Sequence, residues 1–250
     1  MKAMILAAGL GTRLKPLTDK IPKALVEVDG VPMLERVILS LKSQGFDKFV
    51  VNVHHFSSQV KEFLKNRDYG VEIKISDETE QLLDTGGGIL FAKSLLFKED
   101  SSPVLIHNVD ILSNANLKTV LKTSEKWDES LLLVSDRESS RKLIFDRQCH
   151  LAGWHDLKNN MFRPENFEFT SDFHELAFSG IYSMSQEAIE EMEFLMGCRK
   201  FSIMDYFFNP ERKSRIKSIH QENLKLLDIG KPAILLQAPE LLSELNKNSN

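Results

Sequence analysis

Two cations stand behind a glycine turn near the start of the chain: Arg13 and Lys23, within 6-LAAGLGTRLKPLTDKIPKAL-25. Gly9 and Gly11 flank Leu10 in a GxG turn at the exit of an apolar run. Glycine admits positive φ and lets a backbone approach a ligand closely. The N–H groups of such a turn can cradle phosphate oxygens. The guanidinium fork of Arg13 matches phosphate geometry, and Lys23 adds a compact point charge. The chemistry these types suggest is the holding of a polyanion. Two common phosphate motifs do not fit. No Lys-Ser or Lys-Thr follows the glycines, as a Walker A loop needs, and Leu14 stands where a dinucleotide fingerprint has its third small residue. Pro16 also argues against an immediate helix.

Other unusual residues close other segments. Asp110 ends 104-VLIHNVD-110, and an acid there reads on its own as a turn residue or helix N-cap. The 84-DTGGG-88 stretch reads as a glycine-rich loop that feeds a helix. His54, His55 and His107 have no further His or Cys at ligand spacing and read as strand-end residues. Phe162, Phe167, Phe169 and Phe173 read as core or lid packing.

The elements that must position these residues follow a rhythm. The run 3-AMILAA-8 predicts a strand buried on both faces, the kind found in parallel sheets. Val31-Pro32 opens a predicted helix with Leu34, Val37, Ile38 and Leu41 at helical spacing, closed by Gly45. Next come a buried strand 49-FVVNV-53, a helix capped by Ser57 or Ser58, and a more exposed edge strand 71-VEIKI-75. The strand ending on Asp110 precedes a helix over 115–126 and the strand 131-LLLV-134. This alternation predicts an α/β fold with a doubly wound, mostly parallel sheet and ligands beyond the strands' carboxyl ends. After residue 136 the rhythm breaks. Short β-like pieces lie at 142–145 and 176–184, with 158–174 as an irregular loop or lid. Helices at 185–196 and 202–208, a strand at 214–221, a final helix over 232–245 and a fraying polar tail at 246–250 complete the expectation. We expect one domain over 1–250, with a nucleotide-binding half at 1–135 and a site-completing half at 136–250.

Composition narrows the partners. Hydrophobic residues make up 42% of 250, an ordinary globular balance, and the net charge of -4 offers no basic surface for nucleic acid. No stretch approaches the ~20 apolar residues of a membrane helix. Cys149 and Cys198 are too few for a disulfide framework and read as free thiols in a reducing compartment. The expected location is cytoplasmic, with neither membrane nor nucleic-acid partner.

The longer string is more specific than its glycines. GxGxRLxPLT followed by PKAL resembles the signature of the sugar-1-phosphate nucleotidylyltransferases. The pieces 26-VEVDGVPMLERVI-38, 81-QLLDTGGGI-89, 107-HNVD-110, 178-FSGIY-182 and 226-LLDIGKP-232 are similar to that family from end to end. DTGGG and FSGIY look nearest to its short N-acetylmuramate-1-phosphate uridylyltransferase branch. The resemblance implies an enzyme with a Rossmann-like sheet and a small β-containing sugar-binding part. Its partners would be an NTP, with UTP favoured, and a sugar 1-phosphate, giving NDP-sugar and pyrophosphate with Mg²⁺ as cofactor. It implies catalytic roles for Arg13, Lys23 and Asp110, and Mg²⁺ ligation by Asp110 and Asp228. It places Leu6, Ala8, Gly9, Gly11, Thr12, Gln81, Gly87, Gly88 and Asn108 around the nucleotide, the two loop glycines and Gln81 at the base. Ser179 and Gly180 fall on the sugar side. The Glu-Lys-Pro of many relatives is missing, and Arg163-Pro164-Glu165 is the nearest substitute, with Arg163 or Glu165 standing in. The same signature leaves open a guanylyltransferase for a mannose- or heptose-type 1-phosphate, a cytidylyltransferase for a phosphorylated alcohol such as phosphocholine, a non-catalytic nucleotide-binding subunit, and a homo-oligomer.

Overall fold

The N-terminal apolar run is buried along its whole length and becomes an inner strand of the sheet. The computed structural model describes residues 1–230 and 232–246. Lys231 and residues 247–250 of the expected fraying tail lie outside the described residues. The first part of the chain runs β1 (Lys2–Leu6), β2 (Glu27–Val28), β3 (Val31–Pro32), α1 (Met33–Ser43), β4 (Lys48–Val53), α2 (Ser57–Lys65), β5 (Glu72–Asp77), α3 (Asp84–Leu96), β6 (Val104–Asn108), β7 (Ile111–Ser113), α4 (Leu117–Trp127) and β8 (Ser130–Ser135). It continues through β9 (Arg141–Phe145), β10 (Leu151–Asp156), β11 (Met161–Arg163), β12 (His174–Met184), α5 (Gln186–Met196), α6 (Ile203–Phe207), β13 (Ile216–His220), β14 (Leu226–Asp228) and α7 (Pro232–Asn246).

The expected α/β class holds. β5, β4, β1 and β6 are parallel neighbours, as are β8 and β13. β12 runs antiparallel between β6 and β8, so the carboxyl ends of those two strands share one edge of the sheet. The first half of β12 extends the sheet with the antiparallel strands β9, β10 and β11. Side chains alternate along β1 as the pleat requires. Ala3 and Ile5 join a core with α1, α2, α4 and α7, while Met4 and Leu6 face α3, α5 and α6. Each large apolar side chain buried in these layers contributes roughly 1.5–3 kcal/mol. No helix among the described residues is long and apolar enough to cross a membrane.

Several expectations are corrected. Val31-Pro32 forms the short strand β3, and α1 starts at Met33. Phe56, in the left-handed region, precedes α2 where a serine cap was expected, and no side chain caps that end. The segment 151–156 is a strand with a bulge near Gly153, and 161–163 pairs with it inside the expected irregular loop. The largest correction concerns 84-DTGGG-88, which is the first turns of α3 rather than a loop before it. Its glycines answer a packing demand. A Cβ on Gly86 would lie 2.2 Å from the Phe201 ring, and one on Gly87 would lie 2.5 Å from the Arg199 carbonyl oxygen. The Gly86 and Gly87 N–H groups donate to the Phe201 carbonyl at 3.0 and 3.3 Å, and Phe201 N–H donates back to Leu83 at 3.2 Å. The segment before α6 thus lies directly on the helix start.

Gly86→Ala weighs two opposing effects. Alanine gains about 1 kcal/mol of helix propensity over glycine. Overpacking a filled contact costs about 1–3 kcal/mol, and Phe201 is itself buried. A lower melting temperature is expected, read by thermal unfolding. A melting temperature at or above that of the parent would mean that the ring can turn aside.

Candidate active site

The opening loop folds as three short 3-10 turns, Thr12–Leu14, Leu17–Asp19 and Lys23–Leu25. Gly11 makes the first reversal at φ +65°, where a Cβ would sit 2.7 Å from Thr18 Cγ2 and 2.9 Å from Lys23 Cβ. Its carbonyl accepts from Leu14 N–H at 2.9 Å and from the Thr18 hydroxyl at 2.8 Å. Leu14 is buried as the apolar anchor. The loop therefore doubles back and sets Lys23 beside Gly11, with Arg13 on the solvent side. Open space surrounds the Cβ position of Gly9.

Asp110 and Asp228 are brought together by backbone pairing. Asp110 follows β6, and the two-stranded ribbon of β7 and β14 sets Asp228 opposite Ile111. Ile229 N–H donates to the Asp110 carbonyl at 2.9 Å. Asp110 is buried, and the Lys23 ammonium donates to its Oδ2. Arg13 reaches both acids, at 3.7 Å to Asp110 Oδ2 and 3.7 Å to Asp228 Oδ2. Two cations and two carboxylates thus form one balanced constellation.

Gly230 keeps that constellation open. A Cβ there would lie 2.5 Å from Asp110 Oδ2, 2.7 Å from Arg13 Nη2 and 3.0 Å from Asp228 Oδ1. Two carboxylate oxygens therefore face one small space that a side chain would fill. Mg²⁺ binds through one or two carboxylates and leaves its remaining positions to phosphates and water. The acids here fit that donor set. Asp110 Oδ2 now holds Lys23 and faces Arg13, and Asp228 Oδ2 faces Arg13, so a divalent cation on the acids would release the two cations to phosphate oxygens.

A polar network links the opening loop to the start of α3. Ala7 N–H donates to Asn52 Oδ1 at 2.7 Å, and Asn52 Nδ2 donates to Glu78 Oε1 at 2.7 Å. Glu78 Oε2 accepts from Leu83 N–H at 3.1 Å. Burial pushes the Glu78 carboxyl above its ordinary pKa, and its hydrogen bonds pull the other way. Gly88 backs onto this pair, with a Cβ position only 2.7 Å from Glu78 Oε1. Glu78, Gln81, Leu83, Gly87, Phe91 and Arg199 line an adjoining cleft of about 530 Å³. Gln81 is exposed at its rim. Asn52 was legible as a lone amide in an apolar strand. Glu78 carried no comparable signal.

Leu6 and Asn108 lie side by side in register at the ends of β1 and β6. Gly180, at φ +78°, packs against Asn108, whose Nδ2 would be 2.6 Å from a Cβ there. Ser179 is buried, and its hydroxyl oxygen accepts from Ile181 N–H at 3.1 Å inside an irregular stretch of β12. Ala8 is buried, while Thr12 is exposed. The structure thus gathers Leu6, Gly11, Arg13, Lys23, Asn108, Asp110, Gly180 and Asp228 at one edge. It does not bring Glu165 to them. Glu165 is exposed and makes no hydrogen bond or ion pair among the described residues. Arg163 turns to Asp205 at 3.3 Å and stands over the Trp154 ring.

Comparison with known proteins shows the family. Residues 2–142 match the Nucleotidyl transferase family. An N-acetylmuramate alpha-1-phosphate uridylyltransferase of Caulobacter vibrioides is 30% identical over 97% of both chains. A mannose-1-phosphate guanyltransferase of Gibberella zeae is 29% identical over all of this chain and 66% of its own. The crystal structure of HddC from Yersinia pseudotuberculosis, complexed with GMP-PN, superposes with a TM-score of 0.75 at 23% identity, over 96% of this chain and 99% of that one. That likeness is one of fold.

Proposed function

The chain belongs to the nucleotidyl transferase family, and from that membership we propose that it moves a uridylyl group from UTP to N-acetylmuramate 1-phosphate. Nucleotidyl transfer to a sugar 1-phosphate is the activity that its full-length likeness supports. The observation carrying the reading is the gathering of Arg13, Lys23, Asp110 and Asp228 around Gly230. In the reaction, an oxygen of the acceptor phosphate forms a bond to the α-phosphorus of the NTP. The bond from that phosphorus to the bridging oxygen breaks, and pyrophosphate leaves with the electron pair. Both reactants are anions, so catalysis is alignment and charge neutralisation rather than covalent work by the protein.

Arg13, whose side chain is more than half exposed, swings between the acids and the triphosphate. Lys23, enclosed and fixed by the Gly11 turn, offers its charge to phosphate oxygens near the reacting centre. Asp110 and Asp228 would hold Mg²⁺, which when bound would neutralise phosphate charge and polarise the phosphoryl oxygens. Asn108 lies toward the ribose, and the cleft beside Gln81 and Gly87 takes the base. The half 1–135 binds the nucleotide and the half 136–250 the sugar, except that Arg199 and Asp228 return to the nucleotide side.

The test is a matrix of four NTPs against N-acetylmuramate, N-acetylglucosamine and mannose 1-phosphates with Mg²⁺, followed by pyrophosphate release. The highest kcat/KM is expected for UTP with N-acetylmuramate 1-phosphate. A maximum at GTP with mannose 1-phosphate, the pairing that the Gibberella relative's name suggests, would replace this reading. No release from any pair would end it.

A further inference from the structure

Arg137 lies just beyond the carboxyl end of β8, at the sheet edge that carries Asp110, and the roles assigned above leave it unused. Its Nη2 donates to the Phe178 carbonyl at 2.8 Å, beside Ser179 and Gly180 in the irregular part of β12. Its Nε is buried with no hydrogen-bond partner among the described residues. Nη1 makes no hydrogen bond among them either, yet it is not enclosed. The guanidinium is therefore anchored at one corner, with Nη1 open to an incoming group and the enclosed Nε unpartnered among the described residues. Burial lowers its pKa, and the charge of Asp228 acts in the opposite direction. An arginine in protein keeps its charge regardless. This cation thus sits within the electrostatic reach of one acid of the cradle while tied to the segment on the sugar side.

The chemistry calls for such a group. In-line transfer places a second phosphate on the side of the α-phosphorus away from the departing pyrophosphate. Arg13 and Lys23 already face the acids of the nucleotide side. Arg163 is engaged by Asp205 and Trp154. We infer that Arg137 binds the phosphate of the incoming sugar 1-phosphate, its planar fork held in place by the Phe178 carbonyl. Guanidinium suits this task because it offers several donors in one plane to the oxygens of a phosphate.

The inference rests on the proposed reaction, and calorimetric binding separates the two. N-acetylmuramate 1-phosphate and mannose 1-phosphate are titrated in parallel, and UTP separately, all with Mg²⁺. Arg137→Gln is expected to weaken the sugar phosphate that the parent binds by about tenfold or more, the scale of one charge-assisted hydrogen bond. The UTP Kd should stay within about twofold of the parent, a difference well below one such bond. Arg137→Lys retains the charge and is expected to fall between parent and Gln variant. It also keeps the test open should the Gln variant fold poorly. Unchanged sugar-phosphate binding would overturn the role. So would equal weakening of both ligands, which marks a brace between β8 and β12, or a parent that binds neither sugar phosphate. A parent that binds a sugar phosphate but releases no pyrophosphate with UTP would sink the uridylyl reading, while a binding loss in Arg137→Gln would still support Arg137.

Discussion

Asp110→Asn is expected to lower pyrophosphate release by at least about 10²–10³-fold, the loss seen when one preorganised charge contact to a transition state is removed. The substitution preserves shape and deletes charge. It leaves Lys23, whose side chain is mostly enclosed, and the more exposed Arg13 facing an amide. Arg13 can still pair with Asp228. Lys23 loses its charged acceptor, and a hydrogen bond to a charged group is worth about 1.5–3 kcal/mol. A drop of several degrees in melting temperature should therefore accompany the loss of activity. Activity alone cannot separate metal binding from folding, but Mg²⁺ can. A ligand that binds only the folded state raises its melting temperature. Mg²⁺ with UTP should raise that of the parent and leave Asp110→Asn much less affected. Parent-like turnover, or an equal Mg²⁺ increment, would remove Asp110 from the metal site.

Gly230→Ala is the second large effect, and it comes from adding rather than removing atoms. The backbone at Gly230 is not in the left-handed region, so alanine can adopt it. The new methyl would press on Asp110 Oδ2, Arg13 Nη2 and Asp228 Oδ1 together. A shift of about 1 Å in a reacting constellation can cost roughly 10²-fold in rate. We expect a fall of that order in kcat, with the melting temperature within a few degrees of the parent. Turnover within twofold of the parent would refute the idea that this space is used.

Much of the site could be read from the chain because its cations and first acid follow strands or strand-end turns. Arg13 and Asp110 lie shortly past apolar runs, and a parallel sheet gathers such positions on one edge; Lys23 reaches them because the opening loop doubles back. Asp228 is legible only by resemblance, since its strand is three residues long and depends on pairing with β7. The three glycines were expected in a loop and instead open α3, for a physical reason. Glycine signals either a mobile loop or a close approach, and only the position of Phe201 and Arg199 distinguishes them. Gly230 and Arg137 were missed because their importance lies in what surrounds them. The strands β10 and β11 were the hardest to place, being short and antiparallel, without the long apolar runs that mark the parallel core.

The ribbon of β7 and β14 also bears on the order in which the protein is made. A ribosome would finish the parallel strands β1, β4, β5 and β6, with both cations and Asp110, long before it reaches residue 226. During that interval the nascent chain holds the opening loop but only one of the two acids. The second acid arrives late, when β14 closes on β7 and delivers Asp228. Translation interrupted before that point would leave a fragment lacking the second acid, so synthesis itself sets when this site first becomes whole.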